Sequence, residues 1–237
     1  MADDNAEIID WAALVARLTV DEDRAQQRYR EHLVQHLDQW WARTCLGLPD
    51  LDFARFANRA WLSRCNPRVI KAVKKWQPLE RVSVDRVKAN GLVLCGRTGI
   101  GKSTAVLARL HQVARKMRDA TAAGTLAVKY PPSIGWVTEK KLVGAAFGDE
   151  AELQRARRVG LLVIDEFGYA GGDRAARGKT PAILDVMSER YDRQLPTVIT
   201  TGLRRDEIAA RYGSAILRRM STNATVVEVH DEEKRDG

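Results

Sequence analysis

The chain has 237 residues, 45% hydrophobic and 30% charged, enough for one sizeable α/β core with a small extra domain beside it. Its net charge of +8 is unevenly spread: residues 1–53 hold 5 Lys/Arg against 11 Asp/Glu, whereas residues 54–88 hold 10 against 2. No apolar run is long enough to cross a bilayer, and the acidic opening MADDNAEIID lacks the basic and apolar regions of a secretory signal.

In chain order, Trp11, Leu14, Val15 and Leu18 recur at i, i+3, i+4 and i+7 and predict a helix. Asp21 or Asp23 is placed to cap a second, with Tyr29, Leu33, Leu37 and Trp40 on one face. Phe53, Phe56, Ala57, Ala60 and Trp61 predict a third. Asn66 followed by Pro67 pairs an N-cap with proline at the first helical position, so a helix runs over residues 67–76 and stops before Pro78. Residues 1–65 therefore read as a helical partner-binding domain. His32 and His36 at i, i+4, with Cys45 and Cys65 downstream, invite a zinc site, but the cysteine spacing is irregular. The simpler reading puts His36 on the packing face beside Leu33 and Leu37, with His32 at its edge. The three cysteines, at 45, 65 and 95, show no CxxC pair and suit free thiols in the cytoplasm.

After Asn90-Gly91 the pattern changes to short apolar runs alternating with helical ones. Strands are predicted over residues 92–95, 134–138, 161–165, 197–201 and 225–229, with a helix carrying Ala105, Val106, Leu110, Val113, Ala114 and Met117 after the first. That alternation predicts a parallel sheet of about five strands covered on both faces, a three-layer α/β arrangement over residues 66–230 with a tail at 231–237. Residues 168–180, GYAGGDRAARGKT, read as a mobile surface loop.

Two motifs carry chemistry. Residues 96–103, GRTGIGKS, match G-x-x-x-x-G-K-[ST] between a strand and an amphipathic helix. Gly96, Gly99 and Gly101 let the backbone turn tightly enough to aim successive N–H groups at phosphate oxygens, and Arg97, Thr98, Ile100 and Thr104 complete the cradle. Lys102 reaches the β- and γ-phosphates of ATP and the Ser103 hydroxyl becomes a Mg²⁺ ligand. The second motif, LLVIDE, is a buried strand ending in Asp165 and Glu166. Asp165 suits the metal, and Glu166 is placed to orient and deprotonate the attacking water. A third strand ends in Thr200 and Thr201. Thr201, or else Thr200, is a candidate to touch the γ-phosphate or the water; both are equally β-branched residues that a strand favours. Phe53 and Trp76 are the aromatic candidates beside adenine.

The order NGLVLCGRTGIGKST, LLVIDEFG, LPTVITTGL, AILRRM and ATVVEV resembles the AAA+ ATPases of the DnaC/IstB type, the helicase loaders and transposition helper ATPases of bacteria and phages. The resemblance covers roughly residues 66–229. It implies that Arg219, or failing it Arg218, is an arginine finger acting on ATP held by a neighbouring subunit. It also implies Asn where this chain has Gly202, a departure that puts the rate of hydrolysis in doubt, and it leads to the expectation of no helical C-terminal lid. The function expected is an ATPase that self-associates on ATP and loads a replicative DNA helicase onto single-stranded DNA. The alternative is a transposition helper acting with a transposase on duplex DNA. More remote are an ATP-dependent structural switch with little turnover and a small-molecule kinase, which the adjacent Asp165 and Glu166 disfavour.

Overall fold

The computed structural model describes residues 11–46, 48, 65–169 and 173–229. The first described element is one continuous helix, α1 (Trp11–Leu46), where the sequence suggested two. Neither glycine nor proline interrupts residues 19–24, and Asp21 and Asp23 lie exposed on the helix surface instead of capping a new one. Leu33 and Leu37 are buried as expected. His36 is exposed with His32, off the buried face that carries Leu33 and Leu37, and no metal-binding cluster occurs among the described residues. The third predicted helix and Phe53 lie outside the described residues. Next comes α2 (Pro67–Lys75), where the Asn66 side chain accepts from the Arg68 N–H at 2.8 Å and caps the first turn. Its Val69 and Val73 are buried, while Arg68, Lys71, Lys74 and Lys75 face outward.

A short antiparallel hairpin, β1 (Leu79–Arg81) and β2 (Val87–Ala89), precedes the main sheet. The sheet comprises β3 (Gly91–Gly96), β4 (Ile134–Thr138), β5 (Leu161–Phe167), β6 (Thr197–Thr201) and β7 (Ala224–Val229), all parallel, in the order β4-β5-β6-β3-β7. Two of the predicted strands are found with the same ends; β5 runs two residues further, and β3 and β7 begin one residue earlier. The placement of β6 between β3 and β5 decides the site. It brings three C-terminal strand ends together, with Leu94 opposite Thr200 and Cys95 opposite Thr201.

Because side chains alternate along a strand, each central strand feeds two cores. Leu92, Leu94, Leu161, Val163 and Val198 pack under α2 and α3 (Lys102–Ala122). Val93, Cys95, Leu162, Ile164 and Ile199 pack under five helices on the other face. Those are α4 (Glu139–Ala145), α5 (Glu150–Arg158), α6 (Asp173–Asp192), α7 (Arg205–Tyr212) and α8 (Ser214–Ser221). The outcome is the three-layer α/β fold. The loop expected at 168–180 is shorter than the sequence suggested, since α6 already begins at Asp173. Ala175, Ala176, Arg174 and Arg177 are good helix formers and carry the helix past the lone Gly178. The C-terminal half of α1 lies against α3: Leu37 and Met117 share a small core with Leu126 and Val128, and the Arg118 guanidinium bonds Asp38 at 2.7 Å.

Candidate nucleotide-binding site

The loop after β3 is held from below by the segment preceding α2. The Asn66 N–H donates to the Ile100 carbonyl at 3.0 Å, and the Cys65 thiol lies 3.6 Å from the Gly101 carbonyl. Gly101, with φ +86, is the N-cap of α3, and a Cβ there would fall inside Cys65. A side chain at this position would therefore be both strained and in collision, so glycine is required. The consequence is that the N–H groups of the loop and the first turn of α3 converge on one point, an anion-binding arrangement.

Lys102 folds back over the loop. Its ammonium donates to the carbonyls of Gly96 at 2.6 Å and Arg97 at 2.7 Å, and the residue is only 8% exposed. Burial pulls it below the ordinary lysine range, and the Asp165 carboxylate opposes that shift. Across the cleft, the Ser103 hydroxyl donates to Asp165 Oδ1 at 2.6 Å, and the Thr200 hydroxyl donates to the same oxygen. Ser103, Asp165 and Thr200 thus form one cluster of oxygens. A hydroxyl and a single carboxylate are the hard donors that Mg²⁺ takes from a protein when phosphates and waters complete its shell, so the residues present fit that ion.

Glu166 points the other way. Its φ of +56 turns the chain sharply, leaving its carboxylate exposed where Asp165 is buried, and its N–H donates to the Thr200 hydroxyl at 3.3 Å. Beyond it, Gly168 is clamped at both ends of its peptide. Its N–H donates to Glu139 Oε2 at 2.8 Å, and its carbonyl accepts from Arg211 Nη1 at 2.7 Å. The next residue, Tyr169, reaches across to Thr98, and the two hydroxyls are hydrogen-bonded.

Three candidates fall elsewhere. Thr201 lies on the opposite face of β6 from Thr200, fully buried, with its hydroxyl donating to the Phe167 carbonyl at 2.6 Å and accepting from the Leu203 N–H at 3.0 Å. That hydroxyl holds the turns after β5 and β6 and does not reach the Asp165 cluster. Trp76 is buried, and its indole N–H bonds the Asn90 carbonyl at 3.0 Å, at the start of β3 and hence the wrong edge of the sheet for adenine. Arg219 is also at that edge, beside Arg190, Gln194, Thr197 and Asn223, far from the loop of its own chain. Sequence reasoning missed Tyr169, Glu139 and Arg211, and ranked Thr201 above Thr200. Strand parity would have paired Thr200 with Asp165, but only once the register of β6 against β5 was known.

A phosphate loop closed by a buried lysine and followed by a serine, facing an aspartate and a glutamate on β5 and a threonine on the adjacent β6, is the nucleotide site of a P-loop ATPase. Residues 68–236 match the family described as IstB-like ATP binding protein. The chain belongs to that family of ATP-binding proteins. No curated protein matches it. Among solved structures it is similar to DnaI, at 18% identity over 71% of this chain and 81% of that one, with a TM-score of 0.45. It is similar also to the DnaC helicase loader, at 20% identity over 81% and 98%, with a TM-score of 0.44. A third is domain III of the Thermotoga maritima replication initiation protein DnaA, at 17% over 61% and 57%, with a TM-score of 0.44.

Proposed function

We propose that this ATPase hydrolyses Mg²⁺-bound ATP at a boundary between subunits and uses the cycle to load a replicative DNA helicase onto single-stranded DNA. The observation that supports it most is the oxygen cluster of Ser103, Asp165 and Thr200 beside Lys102, with Glu166 turned outward next to it. In this reading the loop residues 96–104 bind the phosphates and Lys102 leaves its loop carbonyls to meet the β- and γ-oxygens. Ser103 and Asp165 would hold Mg²⁺, whose charge would offset that of the phosphates. Glu166 takes the proton of the attacking water, and Thr200, in place of Thr201, keeps Asp165 aligned. Arg219, far from its own loop, is suited to reach the γ-phosphate on a neighbour. A kinase would use its acceptor hydroxyl in place of an adjacent glutamate base, which argues against phosphoryl transfer to a small molecule.

The division of labour follows the charge. Residues 66–230 form the ATPase domain, and its exposed basic residues on α2 (Arg68, Lys71, Lys74 and Lys75) suit a phosphate backbone. Residues 1–65, acidic at their start, are the helicase-binding domain. The IstB-like family assignment favours a second reading, a transposition helper that works with a transposase on duplex DNA. Fluorescence anisotropy with single-stranded and duplex oligonucleotides, over a salt series with and without ATP, separates the two. Loading predicts a preference for single strands, strengthened by ATP and weakened by salt with a slope near −0.7 per phosphate contact. A duplex preference supports the transposition helper. Weak binding to both, insensitive to salt and ATP, removes the DNA reading.

A further inference from the structure

Gly202, just past the end of β6, has no side chain, and the space a Cβ would fill is taken by the hydroxyl of Tyr169. The tyrosine is 50% exposed, yet its position is closely determined. Its N–H donates to the Glu166 carbonyl at 3.2 Å. The residue before it, Gly168, has φ +98 and carries the double clamp from Glu139 and Arg211; a Cβ on it would come within 2.6 Å of Leu203 Cδ1. From this anchored base the ring crosses the mouth of the cleft, and its hydroxyl meets Thr98 in the middle of the phosphate loop. The phenol thus spans the gap between the loop on one side and the ends of β5 and β6 on the other. That gap lies between the lysine that grips the phosphates and the glutamate next to the metal-binding aspartate.

We infer that the Tyr169 hydroxyl is a contact to the terminal phosphate of ATP, a catalytic residue for which the missing side chain at Gly202 makes room. The inference rests on the ATPase reading and extends it. In this structure the Thr98 hydroxyl satisfies the phenol. An oxygen of the γ-phosphate, arriving beside Lys102, offers a charged acceptor in place of a neutral one, and bonds to ionised acceptors are roughly twice as strong. The exchange requires only that the Thr98 hydroxyl rotate away. As the phosphoryl group separates from ADP, charge on its oxygens is shared by Lys102 and the phenol O–H, with no proton transferred from the tyrosine. ADP has no γ-oxygen, so the contact distinguishes ATP from ADP.

The experiment compares wild type, Tyr169→Phe, Gly202→Ala and the double variant. Affinities for ADP and for a non-hydrolysable ATP analogue are measured by calorimetry, and turnover by phosphate release. Tyr169→Phe removes only the oxygen. It should leave ADP affinity unchanged and lower either analogue affinity or kcat by about ten- to a hundredfold. Gly202→Ala should do the same, because its methyl group displaces the phenol, and the double variant should be no worse than Tyr169→Phe. If thermal melting shows Gly202→Ala to be unfolded, Tyr169→Phe alone decides. A Tyr169→Phe chain that prefers ATP and turns it over like wild type overturns the contact and leaves the ATPase reading standing. Equal losses for ADP and the analogue overturn it too, since they mark a scaffold role. A wild-type chain that neither binds nor hydrolyses ATP removes both.

Discussion

Lys102 is a buried ammonium satisfied by two loop carbonyls, with one carboxylate farther off. Phosphate oxygens are better partners, so Lys102→Ala should cost about 3 kcal/mol of ATP binding, roughly a hundredfold in Kd. Calorimetry showing unchanged affinity would move the site elsewhere. Glu166 makes the opposite prediction. Its carboxylate is exposed, and its side chain holds neither Ser103 nor Asp165 in place among the described residues, so Glu166→Gln should bind ATP as wild type does. Its kcat should fall by about a hundredfold, the usual contribution of a positioned base; a normal steady-state rate would mean that another group takes the proton. At this scale the sequence was informative wherever one short motif holds the whole geometry, as in residues 96–103. It was not informative where two distant strands must be in register, which is why Thr200 and Thr201 could not be told apart before β6 was paired.

The helix α6 shows what one residue can do for the packing of several elements. Arg190, 1% exposed, has no carboxylate partner among the described residues; it donates to Thr197 Oγ1 at 2.9 Å and to the carbonyls of Ala156, Val159 and Pro196 at 2.9, 2.8 and 2.6 Å. It ties the end of α5 and the start of β6 to α6, and burial lowers its pKa to about 9. Arg190→Ala leaves those acceptors without their donors in the interior, and should lower unfolding free energy by about 3 kcal/mol. Arg190→Lys should recover only part, because one ammonium cannot reach acceptors spread around a planar fork. Urea melts test both: a midpoint for Arg190→Ala equal to wild type would show that these bonds are replaceable. Elements of this kind were unevenly legible. The strands β3, β4, β5 and β6 announce themselves as apolar runs because both faces are covered, but the hairpin of β1 and β2 is three residues per strand with mixed polarity and no period to read. The break expected within α1 failed for a related reason. Asp21 and Asp23 are good caps in isolation, and nothing local says that a helix already under way will carry them on its exposed side.

For the whole molecule, the geometry separates Glu166 from Arg219. Glu166 lies at the C-terminal ends of the strands, while Arg219 lies near their N-terminal ends beside Thr197 and Asn223. Within one chain these two cannot meet over the same phosphate. If Arg219 acts at all, it acts on ATP bound to another subunit, and each active site needs two chains. Arg219→Ala should therefore bind ATP as a monomer with wild-type affinity, yet lose the rise in turnover that accompanies increasing protein concentration. The loss should be on the order of a thousandfold, the scale at which arginine fingers act. Mixing supplies the sharper measurement. Glu166→Gln and Arg219→Ala should each lose most activity alone, but a mixed interface can place an intact Glu166 opposite an intact Arg219, and activity should return with a maximum near equal proportions. Phosphate release measured across mixing ratios at fixed total protein reads this directly. Rates that stay at the level of the single variants at every ratio would count against a finger acting in trans, and would leave Arg219 as a surface arginine packed beside Arg190.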